Sequence, residues 1–163
     1  MAQRQIDLKV RSARVTNVNF TPEKAGKTKV ERCDVSLRFL LEELDVDAVI
    51  NTKSNVLQLL WDGEGLPQLK DLDSIELTTT AVGECTLGDG AGEEKISFDS
   101  ATLKKINLKP IINREAEMTC QVRVNPKGMC EYLVGLSVED GCLFSFAGRT
   151  ENPKKGKQGK LDV

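Results

Sequence analysis

The sequence contains no histidine, the residue that most often activates a serine or cysteine nucleophile near neutral pH. Carboxylates remain as a route to acid–base catalysis, but they recur as pairs two residues apart, such as Asp45 with Asp47 and Asp71 with Asp73. Such pairs typically cap helices or carry solvated charge. We therefore predict that the protein is not an enzyme and has no catalytic residues.

Cysteine occurs in a pattern that excludes two of its common uses. The five cysteines are Cys33, Cys85, Cys120, Cys130 and Cys142. An odd number cannot form a complete set of disulfides, and no two of them have the C-x-x-C spacing of a zinc knuckle. We predict small apolar side chains inside a reduced protein, and no metal site.

Long apolar runs are also missing. The N-terminal segment MAQRQIDLKV lacks the apolar core of a signal peptide. No stretch approaches the roughly 20 apolar residues that a membrane-spanning helix needs. We expect a cytoplasmic protein without membrane contact.

Two partial matches to phosphate-binding motifs fail on their surroundings. Gly26-Lys27-Thr28 has the last three letters of a P-loop, but Thr21 stands where that motif needs its first glycine. The glycines of segment 88–92 superficially resemble a dinucleotide-binding loop, yet the acidic residues around them would repel a pyrophosphate. The sequence therefore predicts no cofactor.

Alternation of apolar and polar residues indicates strands along most of the chain. Ile6, Leu8 and Val10 alternate, and the pattern then changes phase to Ala13 and Val15, which is typical of a strand with a bulge. A second alternating run follows at residues 33–41. Residues 5–41 are therefore predicted to form a long β-hairpin, with a turn at residues 21–29.

The remaining pattern completes the predicted fold. Further strands are expected at residues 75–81, 95–98, 101–112, 115–124 and 143–147. Short helices are expected within residues 42–68, with Asp45 and Ser54 as N-caps, and at residues 129–137. We predict a mainly β protein, an antiparallel two-layer sandwich or a bent, barrel-like sheet with two or three short helices. Residues 1–147 form the single domain, and residues 148–163 form a disordered, Lys- and Gly-rich tail.

Charge is segregated along the chain. Residues 1–38 carry a net +5, 39–99 a net −11, 100–147 a net +1 and 148–163 a net +3, for a total of −2. A basic hairpin face predicts binding of single-stranded nucleic acid through its phosphates. The predicted contact residues are Lys9, Arg11, Arg14, Lys27, Lys29 and Arg32 on the hairpin and Lys154, Lys155 and Lys157 in the tail. The alternative is a solvated charged face, which the small number of aromatic residues also fits.

The acidic middle of the chain supports a different hypothesis. Trp61, beside Asp62 and Glu64, combines an aromatic with charge as interface anchors do, so this segment could bind a basic protein surface. The protein would then be an inhibitor or adaptor acting on a host or phage protein. A lone tryptophan at the end of an amphipathic helix also commonly covers the end of a core. A homo-oligomeric virion subunit is a third interpretation.

The order of the segments resembles a family of small bacteriophage and prophage proteins of unknown function. The matching pieces are residues 20–26, Cys33-Asp34-Val35-Ser36-Leu37, the helix that ends at Trp61, residues 103–110 and residues 129–146. The resemblance implies a phage accessory protein, of the kind that serves DNA replication and recombination or counters host defence. It brings no active-site residues with it.

Overall fold

The computed structural model describes residues 5–25, 28–50, 60–68, 74–89, 95–126, 128–138 and 141–149, with side chains throughout except at 22–25, 28–31, 47 and 48. The strands are β1 (Asp7–Ala25), β2 (Thr28–Leu41), β3 (Ile75–Leu77), β4 (Ala81–Asp89), β5 (Lys95–Ile111), β6 (Glu115–Val124) and β7 (Cys142–Arg149). The helices that lie wholly within these residues are α1 (Glu43–Ile50) and α2 (Cys130–Ser137). The protein is therefore mainly β, as predicted.

Six of the strands close into an antiparallel barrel. They follow one another in the order β5, β4, β7, β1, β2, β6, and β6 pairs again with β5. The short β3 continues the line of β4 along the C-terminal half of β5. Of the two predicted architectures, the barrel is correct and the two-layer sandwich is wrong, because pairing of β5 with β6 leaves no open sheet to fold over.

The barrel interior is one hydrophobic core, and β6 shows how the sequence specifies it. Every second β6 side chain is buried, namely Ala116, Met118, Cys120, Val122 and Val124. Burying a large aliphatic side chain stabilises the fold by about 1.5–3 kcal/mol, so a register shift of one residue would lose several such contributions. The predicted strand at 115–124 is confirmed.

Strand β1 changes phase twice. Bulges fall between Leu8 and Arg11 and between Val15 and Asn17. The predicted bulge is confirmed, but the prediction that Val10 faces the core is wrong, since Val10 is 67% exposed. The reason is that Val10 lies within the first bulge, so the next buried side chain after Leu8 is that of Ala13.

The predicted hairpin at residues 5–41 is confirmed, but its turn is shorter than expected. Strand β1 continues to Ala25 and β2 begins at Thr28, so most of segment 21–29 is strand. Pairing of β2 with β6 begins only at Cys33. Residues 21–25 and 28–32 therefore form a two-stranded arm beyond the barrel, hereafter the hairpin arm.

Strand β5 corrects a second prediction, because it is one strand and not two. The irregularity between Lys104 and Asn107 is a bulge, at which Lys105 adopts a φ of 51°. This bend lets β5 pair with β4 along its first half and with β6 along its second half. The last predicted strand is also longer than expected, since β7 extends to Arg149. The predicted domain boundary at residue 147 therefore falls inside a strand.

The two helices cover opposite ends of the barrel. Helix α1 follows the end of β2 and buries Val46, Val49 and Ile50, whereas α2 follows the end of β6 and buries Leu133 and Leu136. The helix predicted at 129–137 is confirmed. Asp45 lies in the first turn of α1 and not at its N-cap, where its charge still favours the helix dipole. Ser54 and residues 150–163 lie outside the described residues.

Among the helices described, none is long and apolar enough to cross a membrane.

Candidate nucleic-acid interface

One side of the barrel carries a polar sheet surface. It consists of the outward-facing side chains of β1 from Arg14 onward, of β2, of β6 and of β5 from Lys104 onward, hereafter the polar face. Its basic members are Arg14, Arg32, Arg38, Lys104, Lys105, Lys109 and Arg123, and its acidic members are Asp34, Glu115 and Glu117. The strict alternation that sends apolar side chains inward also gathers these charges on one surface. Cations therefore outnumber carboxylates on the polar face by seven to three.

Two arginines of the polar face are cross-strand partners. Arg14 of β1 lies directly opposite Arg38 of β2, and both are exposed. Together they line a shallow groove that also contains Leu40 and Glu117. Among the described residues, neither guanidinium forms an ion pair. Like charges placed directly opposite each other on antiparallel strands are destabilising, so this pair lowers the stability of the free protein.

Arg11, by contrast, is engaged within the protein. Its side chain is 13% exposed and its Nη1 lies 3.1 Å from Oδ2 of Asp45 in α1. It also donates to the carbonyl oxygens of Lys9 and Leu40, and its guanidinium lies 5.7 Å from the ring centroid of Phe39. The prediction that Arg11 lies on an exposed basic hairpin face with Lys9 is therefore corrected, because Arg11 links α1 to the barrel.

Asp34 joins two cations on the polar face. Arg123 donates to both of its carboxylate oxygens, from Nε at 2.9 Å and from Nη2 at 3.1 Å, and the Lys104 ammonium lies 3.5 Å away. The hydrogen bond from Arg123 is the main reason that the pKa of Asp34 lies below its usual value of 3.8. Beside this cluster, the buried Oε1 of Gln121 has no hydrogen-bond partner among the described residues.

Sequence reasoning missed Arg38, Lys104 and Arg123. A signal was present for Arg123, because it alternates with the buried Val122 and Val124 and must therefore face outward. Its proximity to Asp34 follows only from the pairing of β6 with β2, which joins residues 89 positions apart. No local pattern reports such a pairing.

The other predicted basic residues are dispersed. Lys9 is exposed on the N-terminal part of β1, and Arg32 is exposed at the base of the hairpin arm. The side chain of Lys29 and the whole of Lys27, Lys154, Lys155 and Lys157 lie outside the described residues. The structure thus brings Arg14 and Arg32 onto the polar face and replaces Arg11 with residues from later strands.

The predicted protein interface at Trp61 has a different structure from the one expected. Trp61 is 2% exposed, and its indole N–H donates to the carbonyl oxygen of Ile111 at 2.6 Å. Asp62 accepts hydrogen bonds from the backbone N–H groups of Glu64 and Leu66, chiefly that of Leu66, and these lower its pKa. Trp61 therefore covers the end of the core, and of the three predicted interface residues only Glu64 is classed as exposed.

Arg114 links α1 to the segment that contains Trp61, at one end of the barrel. It donates to the Glu43 carboxylate at 3.1 Å and to the carbonyl oxygen of Asp62 at 3.2 Å. Its backbone N–H also donates to the carbonyl oxygen of Gly65. Two carboxylates that sequence reasoning assigned to the acidic middle, Glu43 and Asp45, are thus paired with arginines of the barrel.

The cysteines lie largely inside the barrel. All five are free thiols, and Cys33, Cys85, Cys120 and Cys142 are buried. Burial raises the pKa of Cys33 to about 12 and raises those of Cys85 and Cys120 still further. Within the described ranges, no group of three or more potential ligands is arranged to hold a metal ion.

Comparison with protein-family models, with curated proteins and with solved structures found no match to this chain.

Proposed function

We propose that the protein is a non-enzymatic, phage-type accessory protein that binds single-stranded nucleic acid on its polar face. The observation that carries this proposal is the opposed pair Arg14 and Arg38. A phosphate group between the two guanidinium groups would relieve their repulsion and accept hydrogen bonds from both. The pair lowers the stability of the free protein, and a bound anion would remove the repulsion that causes this loss.

The composition of the polar face indicates how the strand would be held. Arginines and lysines bind phosphates without regard to sequence, whereas base stacking requires exposed aromatic rings. Phe20, at 38% exposure, is the one large aromatic among the exposed hydrophobic residues of the described ranges, and it lies outside the polar face. We therefore expect binding dominated by phosphate contacts, with weak sequence preference and strong salt dependence.

A single strand fits this surface better than a duplex. Direct reading of a duplex needs an element that enters a groove, and α1 and α2 each span only 8 residues at the barrel ends. A flexible strand can follow the broad four-stranded surface. The resemblance to phage accessory proteins is compatible with a role in replication or recombination, and equally with one that counters host defence.

Fluorescence anisotropy with a labelled 20-nucleotide single strand tests the proposal at 50 and 200 mM salt. We expect R38Q to weaken binding about three- to tenfold at 50 mM salt, and to reduce the salt slope by about 0.7, the value of one phosphate contact. K95Q is the matched control, because Lys95 is exposed at the start of β5, away from the polar face. It should bind within about twofold of the original protein.

Three outcomes would overturn the proposal: no binding at 50 mM salt, equal losses for R38Q and K95Q, or tighter binding of a duplex of the same length. A chain truncated after Arg149 separates the barrel from the tail. Truncation after Ala147 would remove Gly148 and Arg149, both of which pair with β4. The truncated chain should retain binding if the polar face is the site.

A further inference from the structure

The Asp34 carboxylate lies where a phosphate group would lie on a pair of cations. Arg123 presents its Nε and Nη2 to the two carboxylate oxygens, at 2.9 and 3.1 Å. The guanidinium fork matches carboxylate and phosphate oxygens equally well. Lys104 approaches the same Oδ1 atom at 3.5 Å. An anion that replaced the carboxylate would therefore find two positive charges already in place.

The three residues occupy neighbouring strands, which makes the arrangement rigid. Asp34 is the register partner of Arg123, and Arg123 is the register partner of Thr102, two residues before Lys104. The Lys104 side chain is 18% exposed and that of Arg123 is 35% exposed, so both cations can be reached from solvent.

We propose that Arg123 and Lys104 form a phosphate subsite of the polar face, and that Asp34 occupies this subsite in the free protein as an internal competitor. The inference rests on the proposed function, because it assumes that a phosphate backbone reaches this surface. A strand binds by taking over the two cations, and Asp34 recovers them when the strand leaves.

The energies of the two states make this exchange feasible. A phosphate offers Arg123 the same pair of oxygens as the Asp34 carboxylate does, so the exchange replaces one charge-assisted contact with another. A phosphate can therefore displace Asp34 at small cost. The displaced carboxylate then lies close to the strand and repels it, which lowers affinity and speeds release. Asp34 thus weakens binding, although it makes more hydrogen bonds to cations than any other carboxylate of the polar face.

The experiment compares D34N with E84Q in the same anisotropy assay. Both variants remove one negative charge, but Glu84 is exposed on β4, which contributes nothing to the polar face. We expect D34N to strengthen binding about three- to tenfold at 100 mM salt, because the two cations stay and their internal competitor is removed. E84Q should change the affinity less than twofold.

A third variant ties the gain to the subsite. In the double variant D34N/R123Q, the gain in affinity that D34N produces should be lost, because the subsite no longer contains the Arg123 guanidinium. Equal gains from D34N and E84Q would mean that only net charge matters and would overturn the inference. Weaker binding by D34N would show that Asp34 positions Arg123 for the strand, which also overturns it. Failure of the unsubstituted protein to bind at 50 mM salt would instead overturn the proposed function.

Discussion

The indole N–H of Trp61 lies 2.6 Å from the carbonyl oxygen of Ile111, the last residue of β5. Trp61 also forms a bridge with Pro67, so the segment after α1 folds back on itself against the barrel end. The aromatic body fills the core, and its one polar atom meets the strand that closes the barrel. This contact anchors segment 60–68, in which Asp62 and Arg114 supply further hydrogen bonds.

The first prediction concerns this contact. W61F keeps most of the buried ring but leaves the Ile111 carbonyl without its donor, so we expect it to lower the free energy of unfolding by about 1–3 kcal/mol. W61A should cost about 3–5 kcal/mol, because it also leaves a cavity. Urea unfolding followed by circular dichroism measures both. Folded W61F should bind oligonucleotide normally, and a loss of binding without a loss of stability would place Trp61 in an interface after all.

The second prediction uses a pair of glycines. A Cβ atom at Gly148 would lie 2.7 Å from the backbone nitrogen of Ile6, whereas one at Gly63 would meet nothing within 4 Å. We expect G148A to lower stability by about 1–3 kcal/mol, because β7 must move away from the start of β1. G63A serves as the control and should change stability by less than about 0.5 kcal/mol. Thermal unfolding of the two variants decides the matter, and similar melting temperatures would contradict the close approach.

The third prediction concerns thiol reactivity. Cys130 is half-buried on α2, and the other four cysteines are buried. The thiolate is the reactive form, and the raised pKa of Cys33 keeps it protonated at pH 8. We expect a thiol-specific reagent to label one cysteine quickly in the native protein and all five after denaturation. C130S should abolish the fast phase. A second fast thiol would show that the barrel opens.

The fourth prediction concerns pH. The pKa of Asp34 is lower in the folded protein than its usual 3.8, so its ion pairs stabilise the fold above that value. This stabilisation is lost as the pH falls through the lowered pKa. We expect D34N to be less stable at neutral pH, on the order of 1 kcal/mol, with the difference shrinking below about pH 3.8. Denaturant titrations from pH 2.5 to 7 would show this. A difference that stays constant would mean that Asp34 stabilises the fold through something other than its charge.

Much of the fold could be read from the sequence because alternation is a local signal. The strict pattern of β6 and the long hairpin of β1 and β2 came directly from it. Bulges are the places where it fails. The change of phase in β1 indicated a bulge but left Val10 on the wrong face, and the bulge at Lys105 was not predicted at all.

The candidate site was less predictable, because strand pairing decides it. The chain order put Lys9, Arg11 and Arg14 on one stripe, but a bulge and the helix that follows β2 gave Arg11 an internal partner. Arg38, Lys104 and Arg123 join the site only through the register of β2, β6 and β5. Arg38 and Arg123 read locally as ordinary exposed strand residues. They belong to one site only because the strands pair as they do in the closed barrel.

The place of β7 in the barrel has a consequence for biosynthesis. This strand, the last described, lies between β4 and β1, and the Asp7 carboxylate accepts a hydrogen bond from the N–H of Gly148, 141 residues later. While a ribosome is still making β7, the edges of β1 and β4 have no partner and are open to pairing with other chains. Closure over so long a loop is slow. A nascent chain of this protein therefore stays vulnerable to aggregation until β7 has left the exit tunnel.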